Sequence, residues 1–430
     1  MIRNFRPRLG RALVRAAIVG LAITTAAGAQ MTPLGVSMNR AGSGTTWTPD
    51  AVTLPNKQWM AGDWHLMVHG FAFGEYDVQG GSRGDSQLGS LNWGMFMAGR
   101  DVGGGRFQTR VMLSLDPWSV TRRGYPLLLQ SGESYNGEPL HDRQHPHDFW
   151  MEAGVIYERP ISKSLGIELY AAPSGEPALA PVAFMHRPSA MDNPSAPLGH
   201  HWQDATHVAF GVLTAGLFTH SWKLEASAFN GREPDEHRWN IDPITLDSYS
   251  ARATVNPNAN WSFTAGYGYI KSPEAAAPTE SMHRFVASAL NGFKLGDDGQ
   301  WASTLIYGMN KNASAKSPSH SVLVESEAVL DRSNTVFGRA ELLQKTAHDL
   351  VLPAFDHDRT FNVGSITLGG IREVGRKWGA TLGIGASGTV NIVPAALEST
   401  YGSRTPLGAI LFVRLRPVFA KVDPMAGMKM

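Results

Sequence analysis

The chain has 430 residues, a formal net charge of +1 and no cysteine. A near-neutral balance gives no reason to expect a polyanionic partner, so nucleic-acid binding is not expected. The lack of cysteine excludes a disulfide-stapled scaffold. Glycine is abundant, with 46 residues, and tryptophan frequent, with 12, a composition that suits tight turns and interfacial anchoring.

In chain order, Arg3, Arg6, Arg8, Arg11 and Arg15 precede an apolar run from Ala16 to Ile23, and Ala27-Gly28-Ala29 follows as an A-x-A cleavage site. Residues 1–29 therefore read as a secretion signal, with the mature chain starting at Gln30. The apolar run is shorter than the roughly 20 residues needed to cross a bilayer as a helix. Residues 30–62 show little periodicity and read as a separate N-terminal segment, lying in the periplasm or folding back as a plug.

From residue 63 to 419 the chain breaks into about sixteen stretches with strand character. They fall near 63–76, 90–100, 105–115, 148–159, 164–172, 207–218, 221–230, 247–256, 260–270 and 282–291. The rest are 300–310, 320–330, 334–344, 361–373, 377–388 and 406–419. Short connectors (Asp101–Gly104, Pro160–Ser164, Thr219–Ser221, Asn256–Asn260, Asp331–Asn334, Val374–Lys377) alternate with long ones at 116–147, 173–206, 231–246, 345–360 and 389–405. With the N-terminus in the periplasm, every long connector falls outside, which is the pattern of a transmembrane antiparallel β-barrel with long extracellular loops and short periplasmic turns. Residues 420–430 remain as a C-terminal tail.

Two-residue alternation agrees. Trp222, Leu224, Ala226 and Ala228 share one face, against Lys223, Glu225 and Ser227 on the other. Val322, Val324, Ala328 and Leu330 oppose Glu325 and Glu327. Leu407, Ala409, Leu411, Val413 and Leu415 oppose Arg414 and Arg416. A soluble β-sandwich would alternate in the same way; loop-length asymmetry and the secretion signal favour the barrel. Trp222, Trp261, Trp301 and Trp378 start strands after short turns and read as anchors at the periplasmic interface.

Charges facing lipid at mid-membrane would cost about 2–4 kcal/mol for Arg or Lys, so the charged positions are expected to point inward. The expected pore-lining set is Arg106, Arg110, Glu152, Glu158, Lys223, Glu225, Arg252, Glu325, Glu327, Arg339, Glu341, Arg414 and Arg416. Mixed signs imply a hydrated lumen without strong anion or cation selectivity. His65 and His69 share a face with Met67, Phe71 and Phe73, so that first strand could be read in either orientation.

The long loops carry histidine. His141-Asp142-Arg143-Gln144-His145-Pro146-His147-Asp148 closes one, and His186 and the pair His200-His201 lie in the next, with His207 just after. Imidazole suits Zn and Cu, and thioether suits Cu(I), so a Cu or Zn site using His141, His145, His147, His200 and His201 is one expectation. Hydrogen bonding to loop backbone and to Asp142 or Asp148 is the plainer one, since no H-E-x-x-H spacing occurs. A barrel hydrolase is a further alternative. Asp356-His357-Asp358 and His348-Asp349 could orient a base, but no G-x-S-x-G motif is present, and no enzymatic role is expected.

Ser37-Met38-Asn39-Arg40 with Gly42-Ser43-Gly44-Thr45, and the segment His141–Asp148, resemble segments of an uncharacterised family of Gram-negative outer-membrane β-barrel, porin-like proteins. The resemblance implies the outer membrane and the fold, without naming a substrate. Barrels of this class commonly end on an aromatic residue; Phe419 has the outward parity of Leu407 to Leu415, but eleven residues follow it. The expected function is passage of small polar solutes or ions through the lumen. The expected partners are outer-membrane lipid and the solute, with a homo-oligomer as an option.

Overall fold

The computed structural model describes residues 33–275 and 277–419. The secretion signal, its cleavage point and the tail at 420–430 lie outside the described residues. The strands are β1 (Asn56–Ala61), β2 (Trp64–Gln79), β3 (Ser86–Val102), β4 (Gly105–Leu113), β5 (Tyr125–Tyr135), β6 (Glu138–Gln144), β7 (Trp150–Pro160), β8 (Gly166–Gly175), β9 (Ala209–Phe218), β10 (Trp222–Phe229), β11 (Ser248–Asn258), β12 (Trp261–Lys271), β13 (Ser281–Leu295), β14 (Gly299–Asn312), β15 (Ser319–Val329), β16 (Asn334–Thr346), β17 (Thr360–Lys377), β18 (Ala380–Ile392) and β19 (Leu407–Pro417).

Sixteen of these close into an antiparallel barrel in the order β2-β3-β4-β7-β8-β9 and on through β10 to β19, which returns to β2. Closure satisfies the strand edges, which lipid could not do. The seam is shared. β19 pairs with the later half of β2, from Gly408↔Gln79 to Leu415↔Ala72. β1 pairs with the earlier half, from Asn56↔His69 to Ala61↔Trp64. The two ends of the barrel chain thus occupy one strand position in succession.

All sixteen expected strands are present, with ends moved by a few residues. Two elements are additional to the sequence reading. Part of the N-terminal segment forms β1, and the long connector after β4 contains the β5–β6 hairpin. β5 begins Tyr125-Pro126-Leu127-Leu128-Leu129-Gln130, a continuous apolar run without period-2 alternation, which hid it. The terminal strand also stops early. Pro417 has no N–H to offer the ladder, and two residues later Phe419 lies under the Arg416 guanidinium at 4.6 Å, so its expected outward parity is lost.

The exterior is apolar. Outward leucines on the strands remain exposed to surroundings, from 41% for Leu217 to 79% for Leu88. Leu224, Val324, Leu342, Leu411 and Val413 extend the same surface around the barrel. So continuous an apolar belt is stable in hydrocarbon and not in water. Trp222, Trp261 and Trp301 are exposed on this side at or near strand starts beside the short turns, whereas Trp378, expected to start a strand, lies in the turn itself, because β17 runs on to Lys377 and β18 starts at Ala380.

The interior is filled. Residues 176–208, the connector between β8 and β9, are buried almost throughout. Pro177, Pro181, Pro188, Pro194 and Pro197 limit regular structure there to short helical turns at Phe184–His186, His200–Gln203 and Ala205–His207, while Leu179, Val182, Phe184, Met185 and Met191 provide apolar side chains that leave water by turning inward. Wall glycines allow its backbone close approach: a Cβ at Gly266 would press on the Leu179 carbonyl, and one at Gly308 on the Trp202 carbonyl. Residues 40–49 are likewise mostly buried. Asn256 Nδ2 donates to the Thr48 carbonyl at 2.9 Å, and Ser262 Oγ to the Trp47 carbonyl at 3.1 Å.

Candidate functional site

The side chains of the expected charged set are buried or, for Glu158, half-buried. They divide between two inner attachments. On one side, Arg187 of the 176–208 loop is fully buried and donates to Glu325 at 2.6 Å, to Asp204 at 2.7 Å and to the Val182 carbonyl at 2.9 Å. Glu325 also accepts from Arg339 at 3.0 Å. Arg339 reaches the Ser195 carbonyl at 2.9 Å, and Glu341 accepts from the Gly199 N–H at 2.9 Å. Asp192 pairs with Arg414 and lies 3.8 Å from Arg416, while its N–H donates to Glu327 at 3.0 Å.

On the other side, charges hold the N-terminal segment. Arg110 donates to the Gly44 carbonyl and lies 3.9 Å from Glu152. Lys223 donates to the Thr45 carbonyl and sits 3.2 Å from Glu168 and 3.5 Å from Glu225. Arg252 donates to Thr45 Oγ1 at 2.8 Å, to Glu225 at 3.1 Å and to the Ala180 carbonyl at 2.9 Å. Arg106 and Glu158 line a small cavity of about 40 Å³ beside Val36, Ser37 and Trp47. Arg187, Asp204, Asp192 and Glu168 were absent from the sequence expectation. The signal for the first three was present: isolated charges within an otherwise apolar, proline-rich loop.

The histidines assemble in part. His145, His200 and His201 come together with His147 and His207, with neighbouring ring centres 5.1 to 6.3 Å apart. His141 stays apart, bonded through Nδ1 to Asp142 at 2.8 Å. Each clustered ring has a polar partner: Glu133 for His145 at 3.0 Å, Asp116 for His147 at 2.8 Å, Asp204 for His200 at 2.7 Å and Glu233 for His201 at 3.4 Å. His207 Nδ1 bonds to the Asp204 carbonyl at 2.8 Å. Among the described residues, no three His, Asp or Glu side chains are disposed to hold a metal ion.

Burial sets the protonation of this cluster. It drives His200 down to about 4 against the pull of Asp204, and pushes His145 and His207 below the usual imidazole range. Burial acts on His201 in the same sense, but the Glu233 carboxylate outweighs it and raises the group. Burial would raise Glu133, but Arg238 and His145 overcome it and bring the carboxyl to about 2. Arg187 likewise outweighs burial at Asp204 and holds it well below the usual carboxylate range.

Beyond the histidines lies a cavity of about 420 Å³ among the outer loops. Its lining carries Glu133, Glu233, Asp235, Glu236, Glu274 and Asp349, against Arg238 as the fixed cation, with His237 and His348. His348 and His357 stack at 4.2 Å on loop 347–359, and His357 bonds to Asp358 at 3.1 Å. His65 and His69 both face inward.

No family model and no curated protein matches this chain. Solved structures with similar architecture include an anion-selective porin from Comamonas acidovorans, 11% identical, with a TM-score of 0.49, covering 82% of this chain and 99% of that one. Salmonella typhi OmpF in complex with daunomycin is 11% identical, with a TM-score of 0.49, covering 84% and 100%. Pseudomonas putida OprB is 11% identical, with a TM-score of 0.47, covering 82% and 94%. The closed sheet, its apolar belt and its polar, filled interior make this chain a sixteen-stranded transmembrane β-barrel, the architecture of bacterial outer-membrane proteins.

Proposed function

We propose that this barrel is a gated channel for small polar solutes or ions, with cations favoured at its outer mouth. The observation that carries the reading is the inward fold of residues 176–208 within a barrel of sixteen strands, a size that otherwise leaves an aqueous channel. A loop held by side-chain ion pairs, without strand pairing to the wall, can leave the lumen while the barrel stays closed. The acidic lining of the outer cavity supports the cation preference, because clustered carboxylates raise the local cation concentration.

Single-channel recording in a planar bilayer tests this. The wild-type barrel is expected to show rare, brief openings, and Arg187→Ala a much larger open fraction. Under a KCl gradient the reversal potential is expected to have the sign of cation selectivity. Flat traces from both proteins, each showing the heat-modifiable gel mobility of a folded barrel, would overturn the channel reading. An anion-directed reversal potential would overturn the preference alone.

A further inference from the structure

Three neighbouring strands bring nitrogen and sulfur donors to one level of the interior. His69 of β2 stands opposite Met95 of β3, and Met95 opposite Met112 of β4. Direct cross-strand partners have Cβ atoms about 4.5–5.5 Å apart, so the three side chains form one inward row. His186 reaches this row from the 176–208 loop. His69 Nε2 lies 2.9 Å from Met95 Sδ, and His186 Nε2 lies 3.5 Å from Met112 Sδ. The two imidazole centres are 5.2 Å apart. All four residues are buried. Trp93 covers them, stacked on His186 at 4.6 Å and edge-on to His69 at 5.2 Å.

We propose that His69, Met95, Met112 and His186 form a binding site for a soft monovalent metal ion, Cu(I) or its analogue Ag(I).

The donor set selects the ion. Thioether sulfur is a soft ligand that suits Cu(I), while imidazole accepts several metals, so two of each favour a soft ion over Zn(II). With metal–nitrogen bonds of about 2.0 Å, two imidazoles on one tetrahedral ion have ring centres roughly 5 Å apart, close to the spacing found here. Simple packing would explain one imidazole–thioether contact. Here two imidazoles each turn the same nitrogen, Nε2, toward a different thioether, and the two thioethers are cross-strand partners.

A monovalent ion brings the smallest charge into this buried row. Arg110, one row from Met112, is engaged by the Gly44 carbonyl and by Glu152. Met97, Met151, Met185 and Met191 belong to the same buried cluster. Methionine has three rotatable bonds, so Met95 and Met112 can open around an ion without moving the strands. The site is separate from the outer histidine cluster and does not depend on the channel reading.

The test uses the whole protein, folded in detergent, in chloride-free buffer with silver nitrate as the probe. Calorimetry, with metal analysis after desalting, is expected to show one tightly held Ag(I) per chain attributable to this site. The Met95→Leu/Met112→Leu double variant nearly conserves volume, a kind of change that usually costs less than about 1.5 kcal/mol per site. It should retain heat-modifiable mobility and lose affinity by about a hundred-fold or more, since even outer-shell changes around a metal cost about 10–100-fold. His145→Ala/His201→Ala should bind as the wild type does. X-ray absorption of protein loaded with Cu(I) under anaerobic conditions should show nitrogen and sulfur together in the first shell. Absence of retained Ag(I), equal affinity in the double-leucine variant, loss of binding in the His145/His201 variant, or a shell without sulfur would each overturn the proposal.

Discussion

The 176–208 loop meets two unlike walls. Against β15, β16 and β19 it is held by charge: Arg187 to Glu325, Ser195 to Arg339, Gly199 to Glu341 and Asp192 to Arg414. Against β2, β3 and β4 it is held by packing, with Phe184, Met185 and Met191 in one cluster with Phe71, Phe73, Trp93, Met95 and Met112. The two kinds of contact fail differently. A buried ion pair that loses one partner leaves an uncompensated charge, at a cost of about 3–5 kcal/mol. A well-packed apolar contact accepts volume-conserving exchange for less than about 1.5 kcal/mol.

The largest expected effect is therefore on the charged wall. Arg187→Ala should remove the cation that Asp204 and Glu325 share, leaving them His200 and Arg339, and so release the loop and raise the open fraction in bilayer recordings many-fold. Met185→Leu on the packed wall should leave the open fraction within a few-fold of wild type. Equal effects of the two substitutions would show that charge does not hold the loop. Salt should alter neither result much, because buried pairs are weakly screened.

Acid probes the same loop at its outer end. His200 is buried and has a value of about 4 in the packed loop, against an ordinary 6.5. A base lowered in this way leaves the packed loop at full strength above 6.5. Stability is lost as pH falls from 6.5 to 4, because the released ring takes up the proton that the packed ring refuses. At about 1.4 kcal/mol per pH unit, the loss is about 3 kcal/mol. His145 and His207 act in the same sense. His201 is raised, so its contribution is complete below 6.5, does not change across this window and fades only above its own value. Open fraction should rise between pH 6.5 and 4, and His200→Gln should flatten the rise.

A smaller effect is expected where the loop's backbone touches the wall. Gly266→Ala would place a methyl group against the Leu179 carbonyl, and the neighbour is backbone that cannot rotate away. Overpacking of this kind costs about 1–3 kcal/mol. Hydrogen exchange should quicken at residues around Leu179 and stay unchanged at Gly199–Asp204.

The contrast between the walls also explains what could be read from the sequence. Strands with Lys, Arg or Glu at two alternate positions, such as β10, β15 and β19, declare their inner face. β2 does so only at its far end, where Glu75 and Asp77 are buried; before them it presents His65, Met67, His69, Phe71 and Phe73 inward, a largely apolar run that left the orientation open. Phe71 and Phe73 face inward onto an apolar surface that the 176–208 loop supplies, a partner no local pattern shows. The charged residues were legible as inward, but their partners were not. Asp204 and Arg187 meet across 17 residues, and Asp192 and Arg414 across 222, distances that no local pattern encodes. The histidine loops were legible as a cluster, yet sequence could not separate His141 from the others. That division follows from the β5–β6 hairpin, which carries His141 on a strand with Asp142 while His145 lies beyond it.

The smallest predicted effect concerns the outer mouth, where neither wall takes part. Glu236 lines the cavity and accepts from the Asn136 N–H at 2.6 Å in an exposed setting, so Glu236→Gln preserves shape while removing one charge. The fold and the loop's attachments should be unaffected, because an exposed charge contributes little to stability. What should change is the field at the entrance. Such a field decays over about 10 Å at 0.1 M salt and about 30 Å at 0.01 M, so the loss of cation preference should be visible at low ionic strength and nearly vanish at high. A reversal potential altered equally at both salt concentrations would place the selectivity deeper, at the charged wall, and would remove the outer mouth from the account.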